Sequence, residues 1–178
     1  MASLNMIVAV NKTGGIGFEN QIPWHEPEDL KHFKAVTMNS VLIMGRKTFD
    51  SLPKVLPGRL HVVVSKTVPP TQNTDQVMYV STYQIAVRTA KALLVDKPEY
   101  SQIFVIGGKS AYESLAAYVD KLYLTRVQLS TQQDTELDLS LFKSWKLVSE
   151  VPTITENKTK LIFQIWINPN PISEEPTC

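Results

Sequence analysis

Short apolar runs separated by helix-forming segments constrain the fold of this chain more than any other feature. Met6–Val10, Val41–Met44, His61–Val64, Val77–Val80, Ile103–Ile106 and Lys121–Val127 are all brief and mostly rich in Val, Ile or Leu. Runs like these suit strands buried on both faces of a parallel sheet. Between them lie candidate helices: Pro27 to about Met38, Arg46–Leu52, Ser81 to about Val95, and Ser110–Ala116. Pro27 suits a first helical turn, and Ser81 can cap the third helix. Lys146–Val151 and Lys160–Ile167 read as a final antiparallel pair. The alternation predicts an α/β fold in one domain. Its central, mostly parallel twisted sheet has about eight strands, an antiparallel C-terminal strand and about four flanking helices. Residues 1–168 are expected to form this domain, Thr67–Asp75 a surface loop, and 169–178 a disordered tail.

In such sheets ligands bind beyond the carboxyl ends of the strands. Those ends carry Asn11 with Gly14, Gly15 and Gly17, then Gly45-Arg46-Lys47-Thr48, Ser65-Lys66, and Gly107-Gly108. The diglycine between a strand and a helix exposes backbone N–H groups with no side chain in the way. That arrangement suits a diphosphate. Two other readings remain: a pair of glycines that only turns the chain, and a nucleotide-triphosphatase loop ending in Gly108-Lys109-Ser110. The latter requires a glycine where Ile103 stands. The three-glycine dinucleotide fingerprint is absent.

A net charge of +1 offers no global attraction for nucleic acid or acidic membranes. No apolar run reaches the roughly 20 residues that span a bilayer, and the first residues lack the pattern of a signal peptide. The one cysteine, Cys178, rules out an internal disulfide and agrees with a reducing cytosol. His25, His32 and His61 are scattered, with no metal-ligand spacing. Asn11-Lys12-Thr13 and Asn157-Lys158-Thr159 match glycosylation acceptors by chance. Arg46-Lys47 and the group around Arg59 are the candidate anion sites.

Glu28 and Asp29 fall in the first turn of a helix, where acids commonly complement the dipole. Asp29 also shares a face with Phe33. Leu30 and Phe33 are expected to point toward the core. Asp29 then sits at the rim of an apolar surface, close in sequence to Trp24. A carboxylate held there needs a partner or a raised pKa.

The ordered set of motifs resembles the dihydrofolate reductase family over nearly the whole chain. The matching stretches are Ile7-Val8-Ala9-Val10, Gly15-Ile16-Gly17, Ile22-Pro23-Trp24 and Asp29-Leu30-Lys31-His32-Phe33. They continue with Ile43 to Phe49, Leu56-Pro57-Gly58-Arg59, Val64-Ser65-Lys66, Val105-Ile106-Gly107-Gly108 with Tyr112, Tyr123-Leu124-Thr125, and Asp134-Thr135. The resemblance implies reduction of 7,8-dihydrofolate by NADPH. It implies that Asp29 binds the pterin 2-amino group and N3, and that Thr125 and Trp24 support it. Asp29, Trp24, Thr125 and Tyr112 form the implied catalytic set. Arg59 would pair with the substrate α-carboxylate, since a guanidinium fork matches a carboxylate. Ile7, Ala9, Leu30, Phe33, Leu52, Leu56 and Ile106 would line the substrate pocket.

For the cofactor, the resemblance implies contacts from Ala9, Ile16, Gly17, Gly45, Arg46, Lys47, Thr48, Ser65, Lys66, Ile106, Gly107, Gly108, Lys109, Ser110 and Tyr112. Ile16 and Ile106 would flank the nicotinamide. The Gly107–Gly108 peptide would be cis, and Ser65-Lys66 would hold the 2′-phosphate that distinguishes NADPH from NADH. Implied partners are dihydrofolate and antifolate inhibitors, with no nucleic acid, no membrane and no metal. The chain is expected to act as a cytoplasmic monomer. Departures from the family pattern are Phe49 where many members carry tryptophan, Lys109 in place of a small residue, and no proline after Asp134-Thr135. The rivals are a pterin or pyrimidine reductase of the same fold and a non-catalytic folate- or nucleotide-binding paralogue.

Overall fold

The computed structural model describes residues 2–174 and Pro176. The only cysteine, Cys178, lies outside the described residues. The chain forms β1 (Leu4–Val10), β2 (Gly15–Gly17), α1 (Pro27–Thr37), β3 (Ser40–Gly45), α2 (Arg46–Ser51), β4 (Leu60–Val64) and β5 (Val77–Val80). There follow α3 (Tyr83–Asp96), β6 (Gln102–Gly107), α4 (Lys109–Leu115), β7 (Lys121–Val127), β8 (Thr135–Glu136), β9 (Lys146–Ile154) and β10 (Lys160–Ile167). Eight strands make one sheet in the order β5-β4-β3-β6-β1-β7-β10-β9. All pairs from β5 to β7 are parallel. Only β10 runs against its neighbours. The expected α/β architecture, with its antiparallel C-terminal strand and four helices, is the observed one.

Side chains alternate across each strand, so the sheet has two cores. Met6, Val8 and Val10 of β1 join Val41, Ile43, Ile103 and Val105 under α3 and α4. Ile7 joins Leu42, Met44 and Phe104 on the opposite face, beside Phe33 of α1 and Phe49 of α2.

Four details differ from expectation. The cap of α3 is Thr82, whose Oγ1 accepts from the Ile85 N–H at 3.1 Å, rather than Ser81. Strand β9 extends to Ile154 through Pro152, and its place at the sheet edge tolerates a proline, which has no N–H to give a ladder. Strands β2 and β8 form a small separate sheet that two or three residues each could not announce. In the segment expected to be a disordered tail, the Ile172 N–H donates to the Ala117 carbonyl at 2.9 Å.

Candidate active site

Asp29 enters the site on the first turn of α1 and is only 9% exposed. Thr125, 2% exposed, stands in the middle of β7, in register with Ala9 of β1 on one side and Phe163 of β10 on the other. Burial raises the Asp29 pKa above its ordinary value. The Trp24 indole and the Thr125 hydroxyl pull it back, and the nearby Glu26 carboxylate pushes it up. The buried Trp24 N–H lies near Asp29 but makes no well-aligned hydrogen bond among the described residues. A ligand or water beside Asp29 can satisfy it.

Leu30 is 52% exposed and does not point into the core as expected. Its side chain stands half in solvent on α1 instead. Phe33, Phe49, Leu52, Leu56 and Ile106 are each partly exposed around the buried Ile7. The Leu56 N–H donates to His61 Nε2 at 3.1 Å. With its Nδ1 facing the Gln76 carbonyl, His61 therefore works as a neutral structural imidazole, and burial lowers its pKa.

Arg59 closes the far end. The turn before it needs Gly58, whose φ of +75° is left-handed and whose Cβ would lie 2.5 Å from Met38 Sδ. Arg59 is 3% exposed, its Nε donating to the Pro57 carbonyl at 3.0 Å and its Nη1 to Thr37 Oγ1 at 3.3 Å. Thr37 in turn donates to the Phe33 carbonyl at 2.7 Å. Burial depresses the Arg59 pKa, as expected for a charge short of water. A carboxylate would compensate it.

The second half of the site is a cradle at the ends of β3 and β6. The Gly107–Gly108 peptide is cis, as expected. A Cβ on Gly107 or on Gly108 would come within 3.4 Å of Thr48 Oγ1, so the Thr48 hydroxyl lies directly beside the diglycine. A Cβ on Gly45 would fall 3.1 Å from the Tyr83 hydroxyl. Only glycine leaves this space open for a phosphate-bearing cofactor, so the residues present fit one.

Tyr112 is buried, and its hydroxyl lies 2.9 Å from the Ile7 carbonyl and 2.8 Å from the Ile106 carbonyl. Burial pushes its pKa far up. It therefore ties two strands together at the site. Among the expected phosphate ligands, Arg46 Nε is held by both oxygens of Asp50, at 2.9 and 3.0 Å. Lys47 and Lys66 are exposed. Lys109 Nζ leans to Glu113 Oε1, 3.9 Å away, rather than over the cradle. Ser65 Oγ accepts from the N–H groups of Thr67 and Val68, which shapes the turn that carries Lys66.

The glycine loop is tied down by contacts that the sequence did not show. Asn11 Nδ2 donates to Thr131 Oγ1 at 2.9 Å and to Gln133 Oε1 at 2.6 Å, and Asn11 Oδ1 accepts from the Gly15 N–H at 2.8 Å. The Glu19 N–H donates to Asp134 Oδ2 at 2.8 Å. Asn157 donates toward the His25 carbonyl at 3.3 Å, and the Glu156 N–H to Glu28 Oε1 at 2.8 Å. Both sequons are thus structural: their asparagines hold the segment at Asn11–Gly15 and at His25–Glu26. Glu26, 4% exposed, was also missed, because a polar residue before a helix carries no sign of burial.

Residues 3–168 match a family model described as dihydrofolate reductase. The chain is 97% identical over 178 residues, all of both chains, to a dihydrofolate reductase type 9 of Escherichia coli. It is 32% identical to a dihydrofolate reductase of Staphylococcus aureus, covering 89% of this chain and 92% of that one. Among solved structures it resembles a dihydrofolate reductase from Enterococcus faecalis complexed with NADP(H) and RAB-propyl. The TM-score is 0.76 and the identity 29%, over 94% of this chain and 97% of that one.

Proposed function

This chain belongs to the dihydrofolate reductase family, and from that membership we propose how its residues divide the reduction of 7,8-dihydrofolate to tetrahydrofolate by NADPH. Bound NADPH supplies the hydride that the pterin C6 accepts. The protein orients, neutralises charge and excludes water. Asp29 anchors the pterin through its 2-amino group and N3, and Thr125 and Trp24 hold that carboxylate. The single observation that supports this most is a buried carboxylate, Asp29, on the helix whose Phe33 packs with other partly exposed apolar side chains around Ile7.

Reduction of the C6–N5 imine is easier once N5 carries a proton. Asp29 favours the protonated pterin, and water delivers the proton. Arg59 binds the α-carboxylate, with its fork already set by Pro57 and Thr37. Ile7, Ala9, Leu30, Phe33, Leu52, Leu56 and Ile106 line the ring pocket. Gly45, Thr48, Gly107, Gly108 and Ser110 approach the cofactor diphosphate, with Arg46, Lys47 and Lys109 adding charge near it. Ala9, Ile16, Gly17 and Ile106 flank the nicotinamide, and Tyr112 sets the strand ends behind it. Ser65 positions Lys66 for the 2′-phosphate. The segment from Gly14 to Trp24 acts as a lid. We further propose a cytoplasmic monomer whose catalytic domain is residues 1–168. No described helix is long and apolar enough to cross a membrane.

The test is loss of NADPH absorbance with and without dihydrofolate, in competition with a diaminopyrimidine. Such an inhibitor protonates readily and should pair with Asp29. Oxidation that needs dihydrofolate, and falls with the inhibitor in the parent but not in Asp29→Asn, is the expected result. Inhibition unaltered by that substitution would remove Asp29 from its role.

A further inference from the structure

We propose that Tyr83 is a further cofactor-positioning residue, whose hydroxyl, paired with Ser110, presents one O–H donor to the diphosphate of the nicotinamide cofactor. This rests on the cofactor reading above and adds a residue from an element, α3, that the reading does not otherwise use.

Tyr83 is the first residue of α3. Its ring packs against the core under α3 and α4, so the phenol is held in place. Its hydroxyl lies 2.8 Å from Ser110 Oγ, at the surface. Two hydroxyls in one such bond own two protons, and the bond uses one. The other O–H is left to donate outward.

The position of that free donor follows from the glycines. A Cβ on Gly45 would sit 3.1 Å from the Tyr83 oxygen and 4.0 Å from the Gly108 nitrogen. The phenol oxygen therefore borders the gap between the ends of β3 and β6, with the cis diglycine and Thr48 Oγ1 alongside. A phosphate oxygen in that gap meets an uncharged donor that needs no counter-charge. Two of the exposed charges nearby are already partly engaged: Arg46 Nε by Asp50, and Lys109 by Glu113.

A bond that only tied α3 to α4 at the surface would contribute little, because water competes for both hydroxyls. The two roles separate experimentally. Tyr83→Phe keeps the ring and removes the donor. It should weaken binding of NADPH and of NADH by the same factor, about five- to tenfold, because both share the diphosphate. The kcat at saturating cofactor and the KM for dihydrofolate should stay at the parental values. The ³¹P resonances of the bound diphosphate should shift, and that of the 2′-phosphate should not. Unchanged affinity for both cofactors, with or without a lower thermal midpoint, would overturn the proposal and leave a structural tie. Weakening of NADPH alone would also overturn it, by moving the contact to the 2′-phosphate. Failure of the parent protein to bind NADPH would instead sink the cofactor reading, and this inference with it.

Discussion

The two faces of the central sheet are built from equally apolar strands but packed to different ends. Under α3 and α4, small residues such as Ala86, Ala90 and Ala111 let the helices approach, and Met6, Val41, Ile43, Ile103 and Leu122 are sealed. On the other face, α1 and α2 leave Leu30 half in water and Phe33, Phe49, Leu52 and Leu56 partly exposed over a cluster of six buried residues. Asp29, Thr125 and Arg59 are also buried on this open side. The difference teaches where stability ends and binding begins. Apolar surface that the protein does not cover with itself is available to a flat ligand, and buried charge that it does not pair is available to that ligand's polar groups.

Asp29→Asn gives the largest expected effect. Hydride transfer at pH 7 should fall on the order of 10²-fold and recover partly in acid, where the substrate arrives protonated. The same change should stabilise the ligand-free protein. A carboxyl whose native pKa is raised keeps its proton to higher pH than in the unfolded chain, so stability falls as pH climbs from the unfolded pKa through the native one. Asn carries no such cost, and the gain at neutral pH should be about 0.5–2 kcal/mol. Parallel pH–rate profiles for parent and variant, together with a lower melting point, would erase the distinction between the faces.

Matched truncations sharpen the comparison. Leu122→Ala on the sealed face should cost about 2–5 kcal/mol of stability, with the KM for dihydrofolate unchanged in the enzyme that remains folded. Phe33→Ala on the open face should cost under about 2 kcal/mol and raise that KM about tenfold. Denaturant melts and initial rates on both variants decide it, and a reversed pattern would show that the faces are misassigned. The smallest effect belongs to the rim. Lys66→Ala should weaken NADPH about tenfold relative to NADH, read by fluorescence titration. An unchanged ratio would detach Lys66 from the 2′-phosphate.

Strand content was legible because buried parallel strands need uninterrupted Val and Ile. Strand β10 was read at its observed bounds, and β5 and β7 likewise. Strands β2 and β8 were not, because Gly15–Gly17 and Thr135–Glu136 carry no periodicity. Asp29 was legible as an acid spaced with Phe33. Its buried neighbour Glu26 was not, since Glu26 owes its burial partly to the turn between β9 and β10, where Asn157 Nδ2 lies 3.5 Å from Glu26 Oε2. Asn11 was legible as a strand-end residue and a sequon but not as a tether, because its partners Thr131 and Gln133 come from more than a hundred residues away.

The sequence by itself determined the alternation of strands and helices, the glycines at the strand ends, and the family motifs, because these are local matters of period, size and backbone freedom. Only the tertiary structure decided which acids lose their water, which cations are already engaged and which hydroxyl faces the cradle. Those outcomes depend on the strand order, which brings the ends of β1, β3 and β6 together and makes neighbours of residues far apart in the chain.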